Sequence, residues 1–322
     1  MNDVRDYLAR ELPLVNACIA RQIEALPRLV SPVAAHVLLA GGKRLRPMLT
    51  ILCARSFGYR GDDLYPLAAS MEFLHSATLI HDDILDGAEL RRGKPAAHLV
   101  FDQTSTILAG DVLLALANQL VAGYGVPRLV SILSEAVMRT VVGEVAEIAS
   151  VREPSLSRAE YMQIITGKTA YLIQAACRAG AVLAGAPAEA EELAADLGMN
   201  LGIAFQLVDD ALDYTSPSEV SGKPAGGDLR EGKLTLPLIL FLEDLPKAER
   251  SAIELRIKAG DLAEAEIADL VGRIRESGAA ERTRQVAAES LARAHAALAG
   301  FPDCPERSVL AQSLDYTLTR RK

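Results

Sequence analysis

The chain has 322 residues, of which half are apolar and 24% are charged, and its net charge is −8 at pH 7. This composition is typical of a globular protein with a large core, and it excludes disorder over the whole length. Because nucleic acids are bound by basic surfaces, we predict no nucleic-acid partner for this acidic chain.

Apolar residues recur at three- and four-residue spacing along nearly the whole chain, which predicts amphipathic helices. Strand-like alternation of apolar and polar residues is scarce. The predicted helices cover residues 3–26, 44–57, 64–86, 102–123, 128–150, 158–185, 189–214, 234–258, 262–299 and 305–319. Since no linker or repeat separates them, we predict a single all-α domain over residues 1–322. The longest break, residues 216–232, is rich in glycine and is predicted to act as a functional lid.

Cysteine spacing and the distribution of charge indicate the compartment. The four cysteines are widely scattered without a CxxC pair, so they indicate neither a zinc site nor a redox motif. The longest stretch free of Asp, Glu, Lys and Arg, residues 112–127, is shorter than the roughly 20 apolar residues that cross a bilayer. We therefore predict no transmembrane segment and a cytoplasmic location.

Two Asp-Asp-x-x-Asp clusters each lie near the end of an apolar helical pattern. The first cluster consists of Asp82, Asp83 and Asp86, and the second of Asp209, Asp210 and Asp213. In each cluster the first and last Asp are four residues apart and share a helix face. Three like charges on one turn repel each other unless cations neutralise them, and oxygen ligands suit Mg²⁺. We predict that both clusters bind Mg²⁺ and face one cleft; the alternative is a solvated acidic helix end.

Basic residues are concentrated next to these clusters despite the acidic balance of the chain. GGKRLRP occupies positions 41–47, RRGKP occupies 91–95, and Lys223 and Lys233 flank the glycine-rich stretch. Arg and Lys beside metal ions are the side chains that bind phosphate oxygens. The combination predicts a diphosphate–Mg²⁺ site, and the absence of a GxxxxGK[ST] pattern argues against nucleotide hydrolysis.

The ordered set of motifs resembles the trans-isoprenyl diphosphate synthases of the polyprenyl synthetase family, especially its medium- and long-chain members. The resemblance covers nearly the whole chain and is carried by the two basic motifs together with EFLHSATLIHDDILD at 72–86, GKTA at 167–170, FQLVDDALD at 205–213, GKPAGGDLREGKLTLP at 222–237 and Tyr-x-x-x-x-Arg at 316–321. It implies an all-α bundle around a deep central cavity, usually in a homodimer. It also implies Mg²⁺-dependent condensation of isopentenyl diphosphate with an allylic diphosphate.

The resemblance further implies a role for each matching position. The six aspartates would hold about three Mg²⁺ ions and would form the catalytic set with Arg91, Lys168 and Lys223. Contacts to the allylic diphosphate would come from Arg91, Lys168, Thr169, Gln206, Lys223 and Lys233. Isopentenyl diphosphate would be bound by Lys43, Arg46, His75 and Arg92. Glu147 stands where many members of the family carry Gln, and the sequence assigns it no role.

Product length is predicted from the helix that precedes the first Asp cluster. Ala77 and Thr78 lie five and four residues before Asp82. In this family, bulky aromatic residues at these positions end chain growth early and give short products. Both side chains are small here, so the growing tail should pass. A floor would come from Leu74 or Met71 on the same face, or from a facing helix near Met138. We therefore predict a medium- to long-chain product.

Four alternatives remain open at this stage. The first is a short-chain synthase that makes farnesyl or geranylgeranyl diphosphate. The second is a class I terpene cyclase, which takes one substrate and usually carries an Asn/Ser/Glu second motif. The others are a non-catalytic partner subunit, which generally lacks one Asp cluster, and a di-iron carboxylate protein, which needs more Glu-x-x-His pairs than the one at Glu72 and His75.

Residues 112–119 are a candidate dimer interface or a part of the core.

Overall fold

The computed structural model describes residues 2–216 and 225–320, whose helices are accompanied by one short hairpin and connecting loops. The prediction of an all-α fold is confirmed. Lys223 and Arg321 lie outside the described residues. The helices and strands are α1 (Asn2–Glu24), α2 (Ser31–Leu38), α3 (Leu45–Ser56), α4 (Leu64–Leu85), β1 (Leu90–Arg91), β2 (Lys94–Pro95), α5 (Ala97–Val100), α6 (Gln103–Ala122), α7 (Pro127–Ser150), α8 (Arg158–Ile165), a π turn (Thr166–Ala170), α9 (Tyr171–Leu183), α10 (Ala188–Thr215), α11 (Gly227–Glu231), α12 (Leu236–Asp244), α13 (Lys247–Ala259), α14 (Glu264–Glu276), α15 (Ala279–Ala299) and α16 (Pro305–Thr319).

The chain forms two compact units. Unit 1 comprises Met1–Val137, Leu172–Ala195 and Gly300–Leu310, and unit 2 comprises Met138–Tyr171, Asp196–Ala299 and Ala311–Lys322. In unit 1, α4 packs against α6, α3 and α1, and its Phe73 side chain is fully buried. In unit 2, α12 packs against α15 and α14. A single domain over residues 1–322 therefore stays a prediction.

Two long predicted helices are wrong because local breaks divide them. The pattern at 234–258 is split between α12 and α13, where Pro246 follows an extended Leu245. Proline fixes its own φ and disfavours the helical conformation of the residue before it. The pattern at 262–299 is split at Gly278, whose φ of +75° is left-handed. The short helices α2, α5 and α11 and the β1–β2 hairpin were not predicted.

The predicted helix at 158–185 is continuous but contains the π turn, which carries Lys168 and Thr169. The backbones of Gly143 on α7 and Gly167 in the π turn approach closely. A Cβ atom on Gly143 would lie 2.3 Å from the Lys168 nitrogen and 2.7 Å from the Gly167 carbonyl carbon. Only glycine fits at this crossing, because the atoms that a side chain would meet belong to the backbone. Helix α7 thus sets the position of Lys168.

We expect Gly143→Ala to lower the free energy of unfolding by at least about 2 kcal/mol, because one added methyl group overpacks this crossing. Thermal and urea unfolding of the purified variant measure the effect. Gly272→Ala in α14 is the matched control, since a Cβ atom there meets nothing within 4 Å. That substitution is expected to leave stability unchanged or raise it by up to about 1 kcal/mol. Equal stability of the two variants would contradict the close approach.

Helix α6 is the one helix among the described residues that is long and apolar enough to span a membrane, by length and composition alone. Its Leu113 and Ala117 side chains are fully buried, and the helix packs against α4. Length and composition alone do not distinguish a packed helix of a globular protein from a membrane span. A third of the apolar window of α6 is buried, whereas Ile107 and Leu108 are exposed, so residues 112–119 belong only partly to the core.

Candidate active site

The first Asp cluster lies at the C-terminal end of α4 in unit 1. Asp86 caps the helix, with its backbone N–H donating to the Asp82 carbonyl at 2.8 Å, so Asp82 and Asp86 share a face as predicted. Asp82 is partly buried and Asp86 is exposed, whereas Asp83 points into the protein. Arg91 on β1 donates from Nε to Asp83 Oδ1 at 2.7 Å. Arg91, expected to contact the diphosphate, is therefore paired with Asp83 in this structure.

Three of the four residues predicted to bind isopentenyl diphosphate come together in unit 1. Burial, followed by the charges of Arg46 and Arg92, lowers the pKa of His75 well below its usual 6.5. The guanidinium of Arg92 donates to the Gly41 carbonyl. A Cβ atom on Gly42 would lie 2.9 Å from Nη1 of the same guanidinium. The glycine pair thus lets the 41–47 segment lie directly against Arg92.

The cluster concentrates positive charge in partly buried surroundings. Burial lowers the pKa of Arg46 to about 10, with Glu72 opposing that change and Arg92 adding to it. Arg46 Nε is buried and makes no hydrogen bond within the described part of the chain. A buried cation without a full set of acceptors is costly, and a diphosphate would supply them. Lys43, the fourth predicted residue, is exposed.

Arg44, the middle cation of the basic segment, has a structural role instead. It has a left-handed φ of +49° at the start of α3 and is 5% exposed. Its Nη1 lies 2.6 Å from Glu72 Oε1, and its Nε donates to Asn16 Oδ1 at 3.1 Å. The ion pair links the start of α3 to α4, and three adjacent cations do not reveal this pairing in sequence.

The depressed pKa of His75 makes stability depend on pH. Below pH 6.5 the unfolded chain binds a proton at this histidine that the folded protein excludes, so the free energy of unfolding falls. From pH 7.5 to 5.5 we expect His75 to contribute a fall of about 1 kcal/mol. Urea unfolding at both values should show that much less pH dependence in His75→Asn than in the wild type. The same pH dependence in both proteins would show that His75 titrates normally.

The second Asp cluster lies near the C-terminal end of α10 in unit 2, and its three carboxylates have different surroundings. Asp209 is paired with Arg320 at 2.8 Å. Asp210 is buried and accepts hydrogen bonds from the Tyr161 hydroxyl and, at 2.7 Å, from Gln206 Nε2. Burial, together with the charges of Asp209 and Glu147, raises the pKa of Asp210 to about 7.

Asp213 is held by residues in the second half of the 216–232 stretch. Its carboxylate accepts the backbone N–H groups of Gly227 at 3.0 Å and Asp228 at 3.1 Å. Burial raises the pKa of Asp213, although these two hydrogen bonds oppose the change. The start of α11 is therefore fixed to the second cluster.

A cavity of about 130 Å³ in unit 2 is lined by four of the six residues that were predicted to bind the allylic diphosphate. Thr169 donates to Gln206 Oε1 at 2.9 Å, and Gln206 in turn donates to Asp210. Lys168 and Lys233 both approach Glu147 Oε1, at 3.1 and 3.3 Å. The residues of the predicted site that line this cavity are Lys168, Thr169, Gln206, Asp210 and Lys233.

Sequence reasoning missed four residues around this cluster. Tyr161 and Asp228 line the cavity, and burial raises the pKa of each well above its usual value. Glu144 pairs with Lys168 at 2.8 Å, and Arg320 pairs with Asp209. Glu144, Asp228 and Arg320 lie in or beside motifs that the sequence singled out. Tyr161 carries no such signal, because its partner lies on another helix.

The donor set fits Mg²⁺ bound together with a diphosphate. Within the described residues, no group of three or more His, Cys, Asp or Glu side chains is gathered into a metal site. Carboxylates of both clusters are already engaged by Arg91, Arg320, Gln206 and backbone N–H groups. Mg²⁺ prefers oxygen ligands and is usually held by one or two carboxylates plus substrate phosphates. Clusters of this kind meet that requirement without an all-protein cage.

The comparisons with known proteins agree with this fold and give the family. The polyprenyl synthetase family model matches residues 27–274, and the chain belongs to that family of prenyltransferases. The octaprenyl diphosphate synthase of Escherichia coli (strain K12) is 36% identical over 96% of both chains.

Solved structures extend the similarity to the three-dimensional level. A crystal structure of a polyprenyl synthase from Caulobacter crescentus CB15, complexed with calcium and isoprenyl diphosphate, is 40% identical with a TM-score of 0.94, over 100% of this chain and 98% of that one. A decaprenyl diphosphate synthase from Rhodobacter capsulatus is 39% identical with a TM-score of 0.92, over 100% and 99% of the two chains.

Proposed function

We propose that this prenyltransferase condenses isopentenyl diphosphate with an allylic diphosphate to make a medium- or long-chain trans-polyprenyl diphosphate. The observation that carries the proposal is the cluster of Arg46, His75 and Arg92 in unit 1. It would be a second set of diphosphate-binding groups, in addition to those around Asp210. A condensing enzyme needs two such sets because both substrates carry a diphosphate, whereas a terpene cyclase needs one.

The residues divide the chemistry between them. Carboxylates of both Asp clusters would hold about three Mg²⁺ ions, which neutralise charge on the leaving diphosphate so that the allylic C–O bond can ionise. Lys168 and Lys233 would bind the oxygens of that diphosphate, with Thr169 and Gln206 orienting it. We place Lys223 in the same set, as the family resemblance implies.

The remaining residues would serve the second substrate. Arg46, Arg92, Lys43 and neutral His75 would hold the diphosphate of isopentenyl diphosphate while its double bond attacks the allylic cation. Loss of a proton then restores an alkene, and we assign that proton to the released diphosphate. The apolar lining, Leu156 and Ile164 among it, would keep water from the cation.

A single assay tests the reaction class. The purified protein is incubated with radiolabelled isopentenyl diphosphate, farnesyl diphosphate and Mg²⁺, and the products are separated by chain length. An extended prenyl chain that requires both substrates supports the proposal. Products formed from farnesyl diphosphate alone would identify a cyclase. Turnover that appears only when a second protein is added would identify a partner subunit.

We propose a medium- or long-chain product because Ala77 and Thr78, five and four residues before Asp82, both carry small side chains. Ala77 is 3% exposed, and the Thr78 hydroxyl turns back to the His75 carbonyl at 2.8 Å. Leu74 and Met71 follow on the same face and are buried, so they would form the floor. Met138 on α7 is more than half exposed and would contribute only after rearrangement. The octaprenyl and decaprenyl synthases among the relatives support this assignment.

We also propose a homodimer that acts in the cytoplasm. Val141, Val142, Val145 and Ile148 leave an apolar stripe of α7 exposed, and contiguous apolar surface is a common mark of an interface. The four cysteines are free thiols, which fits a reducing compartment. Light scattering on a sizing column at micromolar concentration tests the dimer, and elution at the mass of one chain would count against it. Cell fractionation with an antibody tests the location.

A further inference from the structure

Arg320 follows the last turn of α16, and its side chain is buried against α10 within unit 2. Its Nη1 lies 2.8 Å from Asp209 Oδ1, and its Nη2 donates to the Phe205 carbonyl at 2.5 Å. The guanidinium carbon lies 4.0 Å from the centroid of the Phe205 ring. Three separate contacts therefore hold this guanidinium against one turn of the helix that carries the second Asp cluster.

The two ends of the ion pair differ in exposure. The side chain of Arg320 is 3% exposed, whereas that of Asp209 is 41% exposed. Arg320 Nε is buried without a hydrogen-bond partner among residues 2–216 and 225–320, so the cation depends on Asp209 for compensation of its charge. A divalent cation arriving from solvent can therefore reach the carboxylate of Asp209 without first displacing Arg320.

The first Asp cluster has the opposite arrangement. There Asp83 is the buried partner at 5% and Arg91 is the exposed one at 37%. Asp83 is the middle residue of its cluster and lies off the face that Asp82 and Asp86 share. Asp209, by contrast, is the first residue of its cluster and shares a helix face with Asp213. Arg320 is thus paired with a carboxylate on the helix face that Asp209 and Asp213 share.

We propose that Arg320 is the counter-ion of Asp209 in the enzyme without metal, and that it opposes the binding of a divalent cation there until a diphosphate brings compensating negative charge. The inference rests on the proposed function, which assigns Mg²⁺ to the second Asp cluster. Two cations that share one carboxylate repel each other, so a metal ion at Asp209 either displaces the guanidinium or binds weakly. Arg320 is in this sense a positioning residue that couples metal binding to the arrival of the diphosphate.

Binding of Mn²⁺ to the full-length protein tests this proposal without relying on activity. Free Mn²⁺ is measured by electron paramagnetic resonance during titration of the wild type, Arg320→Gln and Arg320→Lys, first alone and then with inorganic diphosphate. We expect Arg320→Gln to bind Mn²⁺ alone at least tenfold more tightly than the wild type, and Arg320→Lys, which keeps the charge, to stay within about threefold. Inorganic diphosphate should reduce the difference in Mn²⁺ affinity between Arg320→Gln and the wild type, because it supplies the compensating negative charge in the wild type.

The matched control is Arg284→Gln. Arg284 also holds the end of α16, donating to the Leu318 carbonyl at 3.3 Å, and no described contact joins it to the second Asp cluster. The affinity of the Arg284→Gln protein for Mn²⁺ should equal that of the wild type. An Arg320→Gln protein that is folded by circular dichroism but binds Mn²⁺ no more tightly than the wild type overturns the proposal, as does an equal gain in Arg284→Gln. If Arg320→Gln does not fold, an Arg320→Lys protein whose affinity for Mn²⁺ differs from that of the wild type by more than about threefold overturns the proposal.

A further variant separates this inference from the proposed function. Asp209→Asn should weaken Mn²⁺ binding in the presence of inorganic diphosphate and lower turnover. If it does so while Arg320→Gln behaves like the wild type, the counter-ion role fails and the metal assignment stands. If Asp209→Asn changes neither quantity, the assignment of metal to the second Asp cluster fails.

Discussion

Asp82→Asn and Asp209→Asn should each lower turnover by several orders of magnitude, roughly 10³-fold or more, while the fold is retained. Each substitution removes a negative charge from a cluster that is proposed to hold the metal ions, so the charge on the leaving diphosphate is no longer balanced. Steady-state rates with isopentenyl diphosphate, farnesyl diphosphate and saturating Mg²⁺ measure the loss.

The melting temperature should respond differently from turnover. Like charges on one helical turn destabilise it, so Asp82→Asn should melt no more than a few degrees below the wild type, whereas Asp209→Asn leaves the buried Arg320 guanidinium without its counter-ion and should melt lower. Asp209 also balances the charge of Arg320, which makes Asp82→Asn the cleaner of the two tests. Asp62→Asn is the matched control, because Asp62 is an exposed acidic residue just before α4 that lies in neither cluster. Mg²⁺-dependent turnover close to normal in Asp82→Asn would refute the metal assignment at the first cluster.

Ala77→Phe should shorten the product while sparing the first condensation. Ala77 lies on α4 five residues before Asp82, about 7.5 Å along the helix axis at 1.5 Å per residue. A phenyl ring there would stand in the path of a tail that grows away from the Asp cluster, yet it leaves the diphosphate contacts unchanged. Mass spectrometry of products from wild type and variant gives the chain length, and initial rates with a short allylic primer report the first condensation.

A size control separates blockage from general damage. Ala77→Ser adds one oxygen atom instead of a ring and should keep the wild-type product. Because Ala77 is buried, some loss of stability in Ala77→Phe is expected from overpacking, about 1–3 kcal/mol, and the assay temperature is chosen below the melting transition of both variants. Unchanged product length in Ala77→Phe would mean that Ala77 only packs the helix. A wild type that stops at geranylgeranyl diphosphate would place its floor above Leu74.

The local features of the active site were predictable from the chain alone. Helical periodicity depends on neighbouring residues, so α4 and α10 were located within two residues of their ends, and the four-residue spacing put Asp82 with Asp86 and Asp209 with Asp213 on common faces. The same reasoning failed at Pro246, where a proline signal was overlooked inside an apolar pattern. It also missed the π turn that carries Lys168, because a single wide turn leaves the hydrophobic pattern almost unchanged.

Only the tertiary structure decided which charged residues meet. Of the cations at 43–46, Arg44 is turned inward by Glu72, and Arg320 at the end of the chain is paired with Asp209 in the second Asp cluster. Glu147, an unexplained departure in sequence, lies between Lys168 and Lys233. Residue type and spacing describe one helix at a time, whereas an ion pair between distant segments depends on burial, which changes the cost of leaving each charge alone. Burial is set by the packing of all the helices together, and for that reason the partners of these charges could not be read from the sequence.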